Sequence, residues 1–323
     1  MSETNSIKAA VQRYLEERRS LGFQMRAQGA ELMRFARYAD ARNLRGPLTL
    51  DLMLGWAREH VKHTSDLTGV RRLETVRLFA EYYRQFEPAS EIPPRGILGR
   101  GHRRLVPHIY SDQEIAQILE ATEHVTPNSG LRPLTYRTLF GLIVAVGLRL
   151  SEALNLTVGD VDLATGAITV RQTKFQKSRC LPLHASVVQA LSLYRQSRDR
   201  CLATDREAPF FASTGGAALP KRTVERVFQR LLSYAGVQSR SDYPRPRIYD
   251  LRHTFAVRRL QRWREQGQSI DQAMFWLCTY LGHVSISNTY WYITGVPDLM
   301  SLIGERFEHF VIAGVRDESK KFA

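Results

Sequence analysis

One stretch of this sequence decides how the rest can fold. Residues 87–107 carry prolines at 88, 93, 94 and 107 and glycines at 96, 99 and 101. Proline fixes φ and lacks an amide proton, so it stops helices and central strands, while glycine adds chain freedom. No helix or strand of ordinary length runs through such a stretch. The chain of 323 residues is therefore expected to divide there, and a single hydrophobic core rarely grows past ~250–300 residues in any case. The expected partition is a helical domain at 1–90, a linker at 91–106 and a larger domain at 107–323. Arg95, Arg100, Arg103 and Arg104 make the linker cationic.

Charge narrows the partners. The chain holds 46 Lys and Arg against 32 Asp and Glu, a net charge of +14. The excess is shared, with 17 basic and 12 acidic residues in 1–100 and 29 and 20 in 101–323. Neither part is a basic tail on a neutral body. A polyanion touching both is the expected partner, nucleic acid first. The longest apolar run, 139–148, stops at Arg149, far short of the ~20 residues of a membrane span. The N-terminus has no apolar signal segment, so a cytoplasmic location and no membrane partner are expected. Cys180, Cys201 and Cys278 form no Cys-x-x-Cys pair, so neither a disulfide framework nor a zinc site is expected, and no cofactor.

Periodicity supplies the elements. Leu32, Phe35, Ala36 and Ala39, and later Val76, Phe79, Ala80 and Tyr83, recur as one buried helix face. Four or five helices and no sheet are expected in 1–86. Ser111-Asp112-Gln113-Glu114 is a capping box that predicts a helix to about residue 122. An apolar helix is expected at 136–146, and short strands at 167–170 and 180–183. The long turn between them is cationic, with Lys174, Lys177 and Arg179. Helical pattern then continues to residue 310. The fold class is mainly α with a small β-hairpin or sheet, that is α+β.

Four short stretches carry candidate chemistry. They are Gly147-Leu148-Arg149-Leu150-Ser151-Glu152, the turn with Lys174, Tyr249-Asp250-Leu251-Arg252-His253-Thr254-Phe255, and Leu281-Gly282-His283 followed nine residues later by Tyr292. Each has an ordinary explanation alone. An Arg beside a Glu is commonly a structural ion pair, a turn lysine is solvated, His283 could cap a helix end, and Tyr292 could be a packing aromatic. In combination and in this order they resemble the tyrosine recombinase family, also called the phage integrase family. The resemblance spans nearly the whole chain. It implies a helical core-binding domain followed by a catalytic domain from about residue 107.

The residue types suit the reaction that the resemblance implies. A phosphodiester repels nucleophiles through its negative oxygens. Guanidiniums relieve this by forking onto the non-bridging oxygens and by stabilising the charge of the transition state. Arg149 and Arg252 are the expected clamp. Tyr292 is the expected nucleophile, forming a 3′-phosphotyrosine that conserves the bond energy without ATP or a metal. Lys174 is the expected general acid for the departing 5′ oxygen. His283 would bond the phosphate or orient Tyr292, and Glu152 would hold the cations in place. Two features depart from the family pattern. Tyr249 stands where that family has a histidine, and a phenol with a pKa near ~10 is a weak base. The general base is therefore open between His283 and water, with His253 expected on another face of its helix. The 31 positions from Arg252 to His283 also look long, with the extra turn expected near 264–271.

The resemblance further implies a clamp on duplex DNA. Arg18, Arg19, Arg26, Arg34, Arg37, Arg71, Arg72 and Arg77 are the N-terminal candidates for phosphate contacts, joined by Arg103, Arg104, Lys177 and Arg179. Such contacts give salt-sensitive affinity without sequence choice, and side chains on N-terminal helices would read bases in the major groove. A helix at 298–313, with Leu299, Leu302, Ile303, Phe307 and Phe310 on one side, either packs on its own domain or docks on a neighbour. A dimer on each site and a tetramer in synapsis are implied, with other recombinases as further partners. A mobile-element integrase or transposase is the expected role. Two alternatives stay open: DNA relaxation of the type IB topoisomerase kind, and a DNA-binding subunit that has lost catalysis.

Overall fold

The computed structural model describes residues 6–44, 46–59, 67–99, 106–126, 130–171, 178–240, 245–283 and 285–294. Lys174, Lys177, Arg103, Arg104 and the helix expected at 298–313 lie outside the described residues. The chain divides into two compact units, Met1–Arg104 and Leu105–Ala323.

The described residues of the first unit form four helices and no strand: α1 (Ile7–Ser20), α2 (Arg26–Ala41), α3 (Leu50–Arg58) and α4 (Leu67–Tyr83). Side-chain oxygens of Ser6 and Thr49 accept amides at the starts of α1 and α3, which satisfies donors that a helix cannot pair internally. The expected stripes of α2 and α4 do meet in the core. Phe35 packs edge-on against Trp56 and Phe79, at 5.2 and 6.4 Å between ring centroids.

The Pro/Gly stretch differs from a free tether. Its first half folds back on this unit. The Ser90 hydroxyl accepts the Leu48 amide at 3.1 Å, the Glu91 carboxylate accepts the Leu50 amide, Pro93 is buried, and Leu98 packs against the helical core. Prolines forbid a helix there but not packing. The two side chains cap the entry to α3, which a composition argument does not reveal.

The second unit begins with α5 (Asp112–Glu120), where Ser111 and Glu114 make both bonds of the capping box, and a 3-10 turn at Ala121–His124. It continues with α6 (Arg132–Val146) and α7 (Leu150–Leu154). Then come β1 (Val161–Asp162), β2 (Ala167–Val170) and β3 (Arg179–Pro182), an antiparallel sheet in the order β1-β2-β3. β1 was not expected, because two residues carry no readable alternation. β3 starts one residue early, since Arg179 pairs with Val170. Helices α8 (Ala185–Asp199), α9 (Lys221–Tyr234), α10 (Ile248–Glu265), α11 (Ile270–Leu281) and α12 (Ser287–Thr294) follow among the described residues. The turn between α10 and α11 occupies 266–269, within the stretch where the longer Arg252–His283 spacing placed it.

Two cores position the site. The larger surrounds α6, whose Tyr136, Leu139, Phe140 and Ile143 share it with Phe228 and Leu231 of α9; Phe140 meets Phe228 edge-on at 5.0 Å. The smaller joins α10, α11 and α12 through Phe255, Leu260, Met274, Leu277, Leu281 and Tyr292. Among the described residues no helix is long and apolar enough to cross a membrane.

Candidate active site

Helix ends build the site. α6 stops at Gly147, which adopts the left-handed conformation with φ +70°. Only glycine suits this place, because a Cβ would lie within 2.9 Å of three carbons of the Phe255 ring. Two residues on, Arg149 is the extended N-cap of α7, and its amide donates to the Glu152 carboxylate at 2.9 Å. The arginine is thus the start of a new helix rather than the end of the apolar one.

Glu152 is a hub for three guanidiniums. Its Oε1 accepts from Arg149 Nη1 at 2.6 Å and Arg179 Nη1 at 3.2 Å, and its Oε2 accepts from Arg179 Nη2 at 2.9 Å. Arg252 Nη1 lies 3.6 Å from the same Oε2. Burial pushes the carboxyl pKa up, but the bonds and charge of Arg179, the Arg149 amide and Arg252 outweigh it and hold the pKa below the usual glutamate value.

Arg252, on the second turn of α10, is fully buried. Its Nη1 donates to the Gly147 carbonyl at 2.7 Å and its Nη2 to the Leu281 carbonyl at 2.8 Å. These are the last turns of α6 and α11, so one guanidinium ties two helix ends to α10. Its Nε has no hydrogen-bond partner among the described residues. Burial lowers its pKa, with Tyr292 opposing, yet arginine keeps its charge in proteins.

α11 ends at Gly282 with φ +64°, where a Cβ would come 3.0 Å from Arg179 Nη1. The turn delivers His283, whose Nε2 is 3.1 Å from Arg252 Nη2 and whose Nδ1 is 2.7 Å from the Thr289 hydroxyl. Arginine can only donate, so Nε2 accepts and Nδ1 carries the proton to Thr289. Burial, then Arg252, Arg149 and Arg179, push the His283 pKa down to about 4.

Tyr292 on α12 is 2% exposed. Its ring stacks on His283 at 5.8 Å and meets His253 edge-on at 5.0 Å. Burial raises its pKa, against the pull of the Arg252 guanidinium, so the phenol is protonated at rest. Arg149, Glu152, Arg252, His283 and Tyr292 therefore meet in one pocket. Tyr249 sits at its mouth, 47% exposed. It lines a cleft of about 410 Å³ with Arg149, Ser151, Lys221, Gln229 and Arg247.

Two expectations are overturned. His253 does not face away. It is 3% exposed and packs between Tyr249, at 4.8 Å, and Tyr292. Positions 249 and 253 are i and i+4 on α10, one above the other, and α12 crosses that face. The spacing was readable; the crossing was not. Arg179, expected as a DNA contact, instead spends its fork on Glu152, with its side chain 13% exposed. Strand alternation could have found it, because Arg179 shares a face with buried Leu181.

Several N-terminal arginines are also structural. Arg77 is buried and pairs with Glu74 at 3.1 Å and Glu81 at 2.5 Å. Arg72 bonds Glu31 at 2.9 Å and the Glu59 carbonyl at 2.6 Å, crossing between helices. Arg34 pairs with Glu31, and Arg18 lies over the Phe23 ring. Acids three or four positions away on the same helix consume these charges, as for Arg34 and Arg77. Arg19, Arg26, Arg37 and Arg71 stay exposed. Among the described residues no three His, Cys, Asp or Glu converge to hold a metal ion.

This fold, a helical unit with a three-stranded sheet and a tyrosine on its last described helix, defines the catalytic-domain class of the tyrosine recombinases. The sequence profile of the phage integrase family matches residues 109–296, and the chain belongs to that family. An integrase/recombinase of Sinorhizobium fredii (strain NBRC 101917 / NGR234), y4rB, is 38% identical over 308 residues, covering 94% of this chain and 98% of that protein. Tyrosine recombinase XerC of Chlamydia caviae is 28% identical over 219 residues, covering 68% of this chain and 64% of that protein. Among solved structures, the Tn1549 transposon integrase in complex with a circular intermediate DNA has a TM-score of 0.67 at 17% identity, covering 93% of this chain and 99% of that one. The XerH recombinase bound to palindromic difH in a post-cleavage complex has a TM-score of 0.65 at 17% identity, with 93% and 85% covered. These relatives support recombination; neither DNA relaxation nor a non-catalytic subunit draws support from them.

Proposed function

We propose that this chain is a site-specific DNA recombinase that cuts and rejoins strands through a covalent 3′-phosphotyrosine at Tyr292. The observation that carries the reading is a buried tyrosine beside Arg252, with a carboxylate hub that aligns a second guanidinium, Arg149, at the mouth of a cleft. Arg149, 31% exposed in its side chain, binds a non-bridging phosphate oxygen. Arg252 offers its unpartnered Nε to the same phosphate. Glu152 keeps three like charges together, and the cations stabilise the pentacoordinate transition state. His283 holds the Arg252 fork and stacks on the nucleophile. Lys174 protonates the leaving 5′ oxygen. Tyr249, at the cleft mouth, donates to the phosphate.

The partner is double-stranded DNA, bound by a dimer on each site and a tetramer in synapsis. The integrase/recombinase relative at 38% identity supports a role in DNA integration, the reaction by which a mobile element moves. Deleting residues 298–323 spares single-site binding and weakens synapsis if that segment joins neighbours. The direct test is covalent capture. Wild-type protein is offered a randomised library of nicked duplexes, in which cleavage is irreversible, and DNA-linked protein is recovered. An adduct that Tyr292→Phe abolishes supports the reading. An adduct that persists in Tyr292→Phe, or no adduct from the wild-type chain, refutes it.

A further inference from the structure

Strand cleavage needs an acceptor for the proton of the Tyr292 hydroxyl, and among the described residues the pocket holds few candidates. Glu152 is saturated by three guanidiniums and held ionised below the usual range. His283 has both ring nitrogens committed, Nε2 to Arg252 and Nδ1 to Thr289. Tyr249 is a phenol and a weak base. His253 differs from all of these. Its ring touches the nucleophile on one side and Tyr249 on the other, and its Nδ1 is buried with no hydrogen-bond partner among the described residues. A buried polar atom left unpaired costs about 1–3 kcal/mol, so an unspent nitrogen on a ring packed edge-on against the nucleophile's ring calls for an explanation.

Resting on the function proposed above, we infer that Nδ1 of His253 accepts the proton of the Tyr292 hydroxyl, one helical turn along α10 from the mouth position where Tyr249 stands. As the phenol O–H bond breaks, its proton passes to Nδ1 and its oxygen bonds to phosphorus. The bond from phosphorus to the 5′ oxygen breaks, and that oxygen leaves with the proton of the general acid. On rejoining, the proton on His253 returns to the phenolate. The resting imidazole is in the neutral, accepting form, because burial and then Arg247, Arg252 and His283 push its pKa down to about 3. A phosphodiester seated beside Arg252 brings negative charge that offsets these guanidiniums, so basicity rises when substrate is in place.

The experiment uses a nicked duplex recovered by the wild-type chain from the randomised library and follows single-turnover adduct formation. His253→Gln is expected to cleave ~100-fold more slowly, the lower end of what a positioned base contributes, while binding the same duplex as well as wild type. The decisive arm replaces Tyr292 in the His253→Gln protein with a fluorinated tyrosine already ionised at neutral pH. A nucleophile without a proton needs no acceptor, so most of the lost rate returns. A packing role would leave the deficit in place. Should the glutamine variant fail to fold, His253→Asn, which keeps an oxygen where Nδ1 lies, goes through the same comparison. Cleavage within about twofold of wild type, or a deficit that the fluorinated tyrosine does not relieve, overturns the inference. If wild type forms its Tyr292 adduct and the His253 variants keep full rate, only this assignment falls. If wild type forms no adduct, the function itself is refuted.

Discussion

Replacing Gly147 with alanine tests whether the end of α6 is built as described. Two costs follow from the coordinates. The residue sits at φ +70°, and a side chain in the left-handed region costs ~1–2 kcal/mol. The new methyl would also overlap the Phe255 ring, within 2.9 Å of its Cε1 and Cγ. Overfilling a packed core in this way costs ~1–3 kcal/mol. Together Gly147→Ala is expected to destabilise the second unit by about 2–5 kcal/mol. With a urea m-value near ~2 kcal/mol/M, the midpoint falls by ~1–2.5 M. Gly141 provides the internal comparison. It lies in the same helix at ordinary φ, and a Cβ there meets nothing within 4 Å. Gly141→Ala therefore gains helix propensity, about 0.5–1 kcal/mol, and raises the midpoint. Urea unfolding followed by far-ultraviolet circular dichroism reads both variants. Adduct formation should fall as well in Gly147→Ala, because the Gly147 carbonyl is the acceptor for Arg252. A loss under ~1 kcal/mol for Gly147→Ala, or equal losses for the two alanines, would refute the reasoning.

Other perturbations address the electrostatics. Glu152→Gln leaves three guanidiniums without their shared counter-charge, and breaking a buried ion pair costs ~3–5 kcal/mol; urea unfolding should show about this loss, and adduct yield should drop with it. Stability should also fall on acidification. His253 and His283 have folded pKa values of about 3 and about 4 against 6.5 in the unfolded chain, so the unfolded state takes up their protons first. The unfolding free energy therefore declines as pH falls from 6.5, by up to ~1.4 kcal/mol per pH unit for each histidine. The His283 part is complete near pH 4 and the His253 part near pH 3. The lowered pKa of Glu152 acts in the same direction, since its contribution is present above 4.5 and is lost as pH falls through the folded value. Denaturant titrations at stepped pH check this, and a flat profile between pH 6.5 and 4 contradicts it.

Short-range features were legible in the sequence because their causes are short-range. The capping box at Ser111 and Glu114 joins residues three apart, and the stripes of α2 and α4 follow from helix pitch. Glycines at 147 and 282 mark helix ends because the left-handed conformation disfavours other residues. The order Arg149, Arg252, His283, Tyr292 was enough to assemble most of the pocket's residue list and to indicate the family. What each group does depends on contacts between residues far apart in the chain. Arg252 bonds a carbonyl 105 positions away, and Arg179 reaches a carboxylate 27 positions away. Neither pairing follows from spacing, because it depends on how α6, β3, α10 and α11 cross. The same crossing turned Arg179 from a surface cation into a member of the site, and it set His253 against Tyr292. Sequence patterns report which face of an element is apolar. Which polar groups meet when those faces close is decided only by packing, since each buried donor or acceptor must find its partner in three dimensions.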